Sequence, residues 1–198
     1  MKKNYFLVII LIVLAVLFFI VTANLIIKYN KGVEKMSNIV VLETTKGNIE
    51  IELDLVKAPI TSNNFISYVN VGHYNGLVFH RVIKGFMVQG GGFDQNGTQR
   101  KVQAPIILES KNGLKNTVGT VAMARTSVPN SATSQFFIST VDNEFLDYTP
   151  SNPGYAVFGK VIKGMHIVFE IENVKTATKN GNGDWPVENI IITKAYMK

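Results

Sequence analysis

The chain has 198 residues, 46% hydrophobic and 17% charged, which fits one globular domain plus something extra. Three lysines and no acid fall within residues 1–30, so the formal +6 leaves only +3 on the remainder; with no basic stripe carrying interleaved aromatics, nucleic-acid binding is not expected. The lack of cysteine excludes disulfides, thiolate metal sites, cysteine nucleophiles and lipid-modified cysteine anchors, and the scattered His73, His80 and His166 have no ligand spacing, so no metal site is expected.

The first element is the extra one. From Tyr5 to Ile27 there is no charge, and only Thr22, Asn24 and the Tyr5 hydroxyl are polar. At about 1.5 Å per residue this run spans roughly 35 Å, enough to cross a bilayer core of about 30 Å with some tilt. It predicts a single-pass membrane anchor over 5–27, with 1–4 a basic n-region and 28–37 (KYNKGVEKMS) a polar linker. Val21-Thr22-Ala23 leaves open a cleaved signal peptide, which would make the protein secreted or periplasmic. A buried core helix is disfavoured, because such helices are rarely apolar on every face. Short basic n-regions usually stay in the cytoplasm, which would export the C-terminal domain to the extracytoplasmic side.

After the linker the pattern turns to β. Ile39–Thr44 and Asn48–Leu53 flank a Lys46-Gly47 turn and predict a hairpin with one wet face. Pro59 suits a first helical turn, Ile60, Phe65, Ile66, Tyr68 and Val69 give an apolar helical face, and Gly72 ends it. Strands are predicted at 78–83, 86–89, 117–124, 135–140, 156–162 and 190–194, with a second short helix over 164–171. Eight strands and two helices without strand–helix alternation argue for an antiparallel barrel or sandwich with helices over its ends.

The stretch FHRVIKGFMVQGG, residues 79–91, sets Arg81 and Gln89 in an otherwise apolar run. Strand alternation puts Phe79, Arg81 and Ile83 on one face and Val78, His80 and Val82 on the other. Arg81 could simply snorkel to solvent. Gly90-Gly91-Gly92 lacks a GK[ST] ending and a following helix, so a tight turn is expected there rather than a phosphate loop. Further along, GTVAMART (119–126), NSATSQFFIS (130–139), Phe145-Leu146-Asp147 and YAVFGKV (155–161) place aromatic and aliphatic groups beside polar loops. Each alone reads more readily as core than as a site.

Together, in this order and spacing, the stretches closely resemble the cyclophilin family of peptidyl-prolyl isomerases across residues 38–195, and QGGGF and NGLKNT look most like its bacterial branch. The resemblance implies a mostly β fold: an eight-stranded antiparallel barrel capped by two helices, here preceded by the N-terminal transmembrane helix. It implies that Arg81 is catalytic, that Gln89 holds the substrate backbone beside it, and that Phe86, Met87, Phe137 and Leu146 take the proline ring. Ala124 and Arg125 would pair with the peptide, with Gln135 behind them. Phe145 stands where many members have a tryptophan that contacts cyclosporin, Tyr155 where many have histidine, and Arg125 where many have asparagine. These departures put cyclosporin affinity in doubt rather than catalysis.

The chemistry suits the inventory. Rotation about an X–Pro bond faces a barrier of about 18–20 kcal/mol because the amide loses partial double-bond character, but no bond is made or broken. No nucleophile, metal or cofactor is required. The expected partners are proline-containing polypeptides and, through the N-terminal helix, a membrane; the domain is expected to be monomeric. A membrane-tethered module that binds proline segments, or a holdase with incidental turnover, is the competing reading.

Overall fold

The structure, a computed structural model, describes residues 15–24, 37–179 and 181–198. Its contacts divide the chain into two units, 1–37 and 38–198. In the first, residues 15–24 are helical. Most of the expected anchor, and all of the linker except Ser37, lie outside the described residues; among the described residues no helix is long and apolar enough to cross a membrane.

The second unit is built on one sheet. Strands β1 (Ile39–Thr44) and β2 (Gly47–Leu53) form the expected hairpin. Their alternation buries Val40, Leu42, Ile49, Ile51 and Leu53 and leaves Glu52 in water. The turn closes where the Thr44 hydroxyl donates to the Gly47 carbonyl at 2.7 Å. Six further strands complete the sheet: β3 (Leu77–Ile83), β4 (Met87–Asp94), β5 (Thr120–Met123), β6 (Phe136–Ser139), β7 (Val157–Lys163) and β10 (Ile192–Met197). Their order is β10-β1-β2-β7-β5-β6-β4-β3, antiparallel throughout. The two ends meet through the Val78–Ile191 bridge and the bond from Phe79 N–H to the Ile190 carbonyl at 3.0 Å, which curls the sheet into a near-closed barrel.

Helix α1 (Pro59–Asn70) packs on β7 and β10, and α2 (Met165–Glu172) on β2, β3 and β4. Ala58 offers α1 no side-chain cap; instead the Glu109 carboxylate accepts from the N–H groups of Ile60 (3.1 Å) and Thr61 (2.7 Å). An anion there satisfies two orphan donors at the positive end of the helix. Ile60 in this first turn is 45% exposed, contrary to the expected apolar face; the buried face runs through Thr61, Ser62, Phe65, Tyr68 and Val69. Phe65 sits inside the barrel mouth against Phe136 (5.3 Å, edge to face) and Phe158 (5.1 Å). Tyr74 joins this aromatic core and donates its hydroxyl to the Ser134 carbonyl at 2.9 Å, so its buried polar atom is satisfied.

Two expectations about this wall are corrected. The glycines at 90–92 form no tight turn: they lie within β4, which continues to Asp94 but bulges at the glycines, with Gly91 at φ +86° and the register to β3 shifted between Leu77 and Phe79. They are small because neighbours crowd them. A Cβ at Gly92 would sit 2.6 Å from the Gln135 side chain, and one at Gly91 2.8 Å from the Ser134 carbonyl oxygen. Second, the sequence showed no strand between α2 and the C-terminal strand, yet β8 (Thr176–Lys179) and β9 (Asn182–Pro186) form a separate two-stranded hairpin whose β9 lies against β3.

Candidate active site

On β4, Val88 points into the barrel while Met87 and Gln89 point out; on β6, Phe136 and Ile138 point in while Phe137 points out. The register sets Gln89 opposite Phe137, and Phe137 opposite Ala122 of β5. A second apolar cluster forms on this outer face from Met87, Ala122, Phe137, Leu146 and Val157, with Phe86, Ala124 and Tyr155 packed at its margin. An apolar cluster outside a barrel needs a cover or a ligand. Here it floors a cavity of about 480 Å³.

Every site residue singled out in the sequence lines this cavity except Phe145, that is Arg81, Gln89, Phe86, Met87, Ala124, Arg125, Gln135, Phe137, Leu146 and Tyr155. Phe145 is 65% exposed and stacks on Phe86 with centroids 5.6 Å apart, so it stands at the rim. Phe137 meets Tyr155 edge to face at 5.7 Å. Leu146 is fixed from behind. Its carbonyl accepts from Tyr155 N–H (2.9 Å) and Asn116 Nδ2 (3.1 Å), while Asp147 Oδ1 accepts from Asn116 N–H (2.8 Å) and Nδ2 (3.0 Å).

A chain of amides runs along the polar edge. Arg81 Nη1 donates to Gln89 Oε1 at 3.4 Å, and Gln89 Nε2 donates to Gln135 Oε1 at 2.8 Å. Arg81 Nε also lies 4.0 Å from Asp184 Oδ2. Arg125 folds back over the Tyr155 ring at 4.5 Å; its Nε donates to the Gly154 carbonyl (3.0 Å) and its Nη1 to the Thr126 carbonyl (2.8 Å).

Simple alternation places Arg81 beside Phe79 and across from His80, and the structure corrects this. The β3–β4 register shifts between Leu77 and Phe79 and again between Phe79 and Arg81. Phe79 therefore enters the core, and His80 and Arg81 both face the cavity. His80 is buried between Phe93 (4.7 Å) and Trp185 (5.9 Å). Burial lowers its pKa from the ordinary 6.5 to about 4, with the neighbouring Arg81 charge acting the same way and hydrogen bonding to Val78 and Gln135 opposing it. His80, Phe93 and the tip of the β8–β9 hairpin (Gly181, Asn182, Gly183, Asp184) line the cavity and were not singled out from the sequence. The hairpin had a signal, the Asn-Gly-Asn-Gly run at 180–183, which is turn chemistry for paired strands. His80 had none, because a bulge leaves no pattern in the sequence.

Comparison with known proteins assigns this arrangement. Residues 39–197 match the family described as cyclophilin type peptidyl-prolyl cis-trans isomerase/CLD. The chain is 52% identical to the peptidyl-prolyl cis-trans isomerase of Acinetobacter baylyi over 162 residues, 82% of this chain and 86% of that one. It is 47% identical to peptidyl-prolyl cis-trans isomerase B of Escherichia coli over 156 residues, 77% of this chain and 95% of that one. Among solved structures, the Cryptosporidium parvum cyclophilin type isomerase crystallised in the presence of the dipeptide Ala-Pro superposes with a TM-score of 0.69 at 29% identity, covering 81% of this chain and 98% of that one. The chain belongs to the cyclophilin-type peptidyl-prolyl cis-trans isomerase family. Its activity is peptidyl-prolyl cis-trans isomerisation.

Proposed function

We propose that the cavity grips an X–Pro unit of a polypeptide and turns its amide, with Arg81 as the catalytic group. The observation that carries this reading is the pairing of a closed apolar floor (Met87, Phe137, Leu146) with a polar edge that begins at Arg81 and Gln89. The floor immobilises the pyrrolidine ring and excludes water that would favour the planar, polar amide. As the amide twists, conjugation breaks, the prolyl nitrogen becomes pyramidal, and its lone pair can accept a hydrogen bond. Arg81 is placed to donate that bond or to steady the carbonyl oxygen, a stabilisation realised only in the twisted state. Gln89 steadies the flanking backbone, and its amide orientation is fixed at both ends by Arg81 and Gln135. Ala124 and Arg125 meet the peptide strand on the opposite bank, while Phe86, Phe145 and Tyr155 frame the ring pocket.

The uncharged run at 5–27 supports a further reading: the domain is tethered to a membrane on the extracytoplasmic side and assists folding of exported or membrane-proximal chains. Fractionation with protease protection of whole cells tests the tether; a domain that stays soluble with residue 1 retained would refute it. Exchange NMR on a Gly-Pro peptide tests the pocket. The protein accelerates cis–trans exchange, and Phe137→Ala loses peptide affinity and rate together; a variant as fast as wild type would remove the ring pocket from the mechanism.

A further inference from the structure

The charges around the cavity are not evenly neutralised. At one end Arg81 faces the Asp184 carboxylate. At the other end stands Arg125, and among the described residues no carboxylate lies within 4.0 Å of its guanidinium. His80, which also lines the cavity, is neutral at pH 7 because burial holds its pKa down at about 4. The Arg125 end of the cavity therefore carries an unbalanced positive charge.

The Arg125 fork is also held in place. Its plane rests over the Tyr155 ring at 4.5 Å, Nε is spent on the Gly154 carbonyl, and one Nη1 hydrogen is spent on Thr126. Two hydrogens on Nη2 and one on Nη1 remain to be offered. Gly154 in turn is fixed at φ +63°, where a Cβ would meet the Tyr148 backbone nitrogen at 2.6 Å, so the carbonyl that anchors Arg125 belongs to a tight turn that accepts only glycine. Exposed ion pairs usually contribute little, partly because two long side chains must be immobilised. Here one partner is immobilised before the ligand arrives, and stacking on an aromatic ring shields it on one side.

We propose that Arg125 makes this isomerase selective for proline segments that carry an acidic side chain close to the X–Pro bond, the carboxylate docking on the free edge of its guanidinium. Arg125 is thus a specificity-determining residue. The inference rests on the isomerase reading of the cavity and names its substrate class. A carboxylate is favoured over a neutral amide of the same shape because the planar fork matches its two oxygens, and over an ammonium because the local charge is already positive. Asp184 adds to the asymmetry: its carboxylate stands 4.0 Å from Arg81 Nε, which makes the Arg81 end the less attractive of the two to an acidic side chain.

The test uses the full chain and a panel of blocked peptides, Ala-rich with one central Ala-Pro, in which Glu, Gln or Lys is scanned over two positions on either side of the bond. Affinity is read by titration NMR, and cis–trans exchange is read in the same tubes. The expected result is one position at which Glu binds about threefold to tenfold more tightly than Gln, with Lys weakest. The Glu-to-Gln ratio falls toward one at 0.5 M salt and in Arg125→Gln, and Arg125→Lys keeps part of it. The ratio within each protein is the readout, so a general loss of affinity in a variant does not imitate the effect. A ratio near one at every position in wild type, or a Glu preference that survives Arg125→Gln, overturns the proposal. The all-Ala peptide distinguishes the underlying reading: absent exchange with that peptide would refute the isomerase assignment, whereas normal exchange without a Glu preference refutes only the selectivity.

Discussion

Acid should weaken this domain through His80 before it touches most carboxylates. In the unfolded chain the imidazole takes up a proton near pH 6.5; in the fold, burial between Phe93 and Trp185, next to Arg81, delays that to about 4. Between those values the unfolded state binds more protons, so lowering the pH favours unfolding. The stabilisation from a neutral His80 is complete above pH 6.5 and is lost as pH falls to about 4. The gap corresponds to about 3 kcal/mol, a sizeable part of a typical domain stability of about 5–15 kcal/mol. Urea unfolding of wild type and His80→Gln at pH 7.5, 6.5, 5.5 and 4.5 isolates it. His73, whose pKa burial also lowers, contributes to both proteins alike. Wild type should lose about 2–3 kcal/mol more than the variant over this range. Parallel losses, or an NMR titration of His80 centred near 6.5, would refute the reasoning. The same neutrality predicts a flat kcat/KM between pH 6 and 8, since a charged imidazolium never forms beside Arg81 there.

Other expectations follow from single contacts. Asp147→Ala removes the acceptor for two Asn116 donors and loosens Leu146, so stability should fall by about 2–3 kcal/mol and peptide affinity with it; unchanged melting would contradict the role given to Asp147. Gly164 has φ +87° and a Cβ there would collide with the Asn48 carbonyl oxygen, so Gly164→Ala should cost at least about 2 kcal/mol in chemical unfolding. Gln89→Leu keeps bulk but leaves Gln135 Oε1 without its donor and frees Arg81; kcat/KM should drop about tenfold or more, with a smaller effect on the melting temperature.

How much of this could be read from the sequence depended on whether local periodicity survives in the fold. Met87 and Gln89 on β4 and Phe137 on β6 follow plain alternation, so the outer wall was legible, and the family's order of motifs linked it to Arg125, Leu146 and Tyr155 across long loops. Alternation failed at Phe79–Arg81 because the register shift between them inserts one residue into β3 that no pattern announces. The glycine triplet was misread because its reason is remote: Gln135, Ser134, Tyr74 and Phe136 come to it from other parts of the chain. Asp184 was missed because the β8–β9 hairpin is polar on both faces and buries little beyond Trp185, leaving no apolar stripe to announce it. Its φ of +58° is unusual for a residue with a side chain and becomes visible only in three dimensions.

The most direct test of the central claim is cis–trans exchange of an Ala-Pro peptide by NMR with residues 38–198, wild type beside Arg81→Ala and Arg81→Lys. Exchange through the wild-type domain should be fast, falling about 100-fold or more in Arg81→Ala, with lysine rescuing little because it lacks the planar fork. An Arg81→Ala domain that still binds the peptide and still turns it over at the wild-type rate would contradict the account.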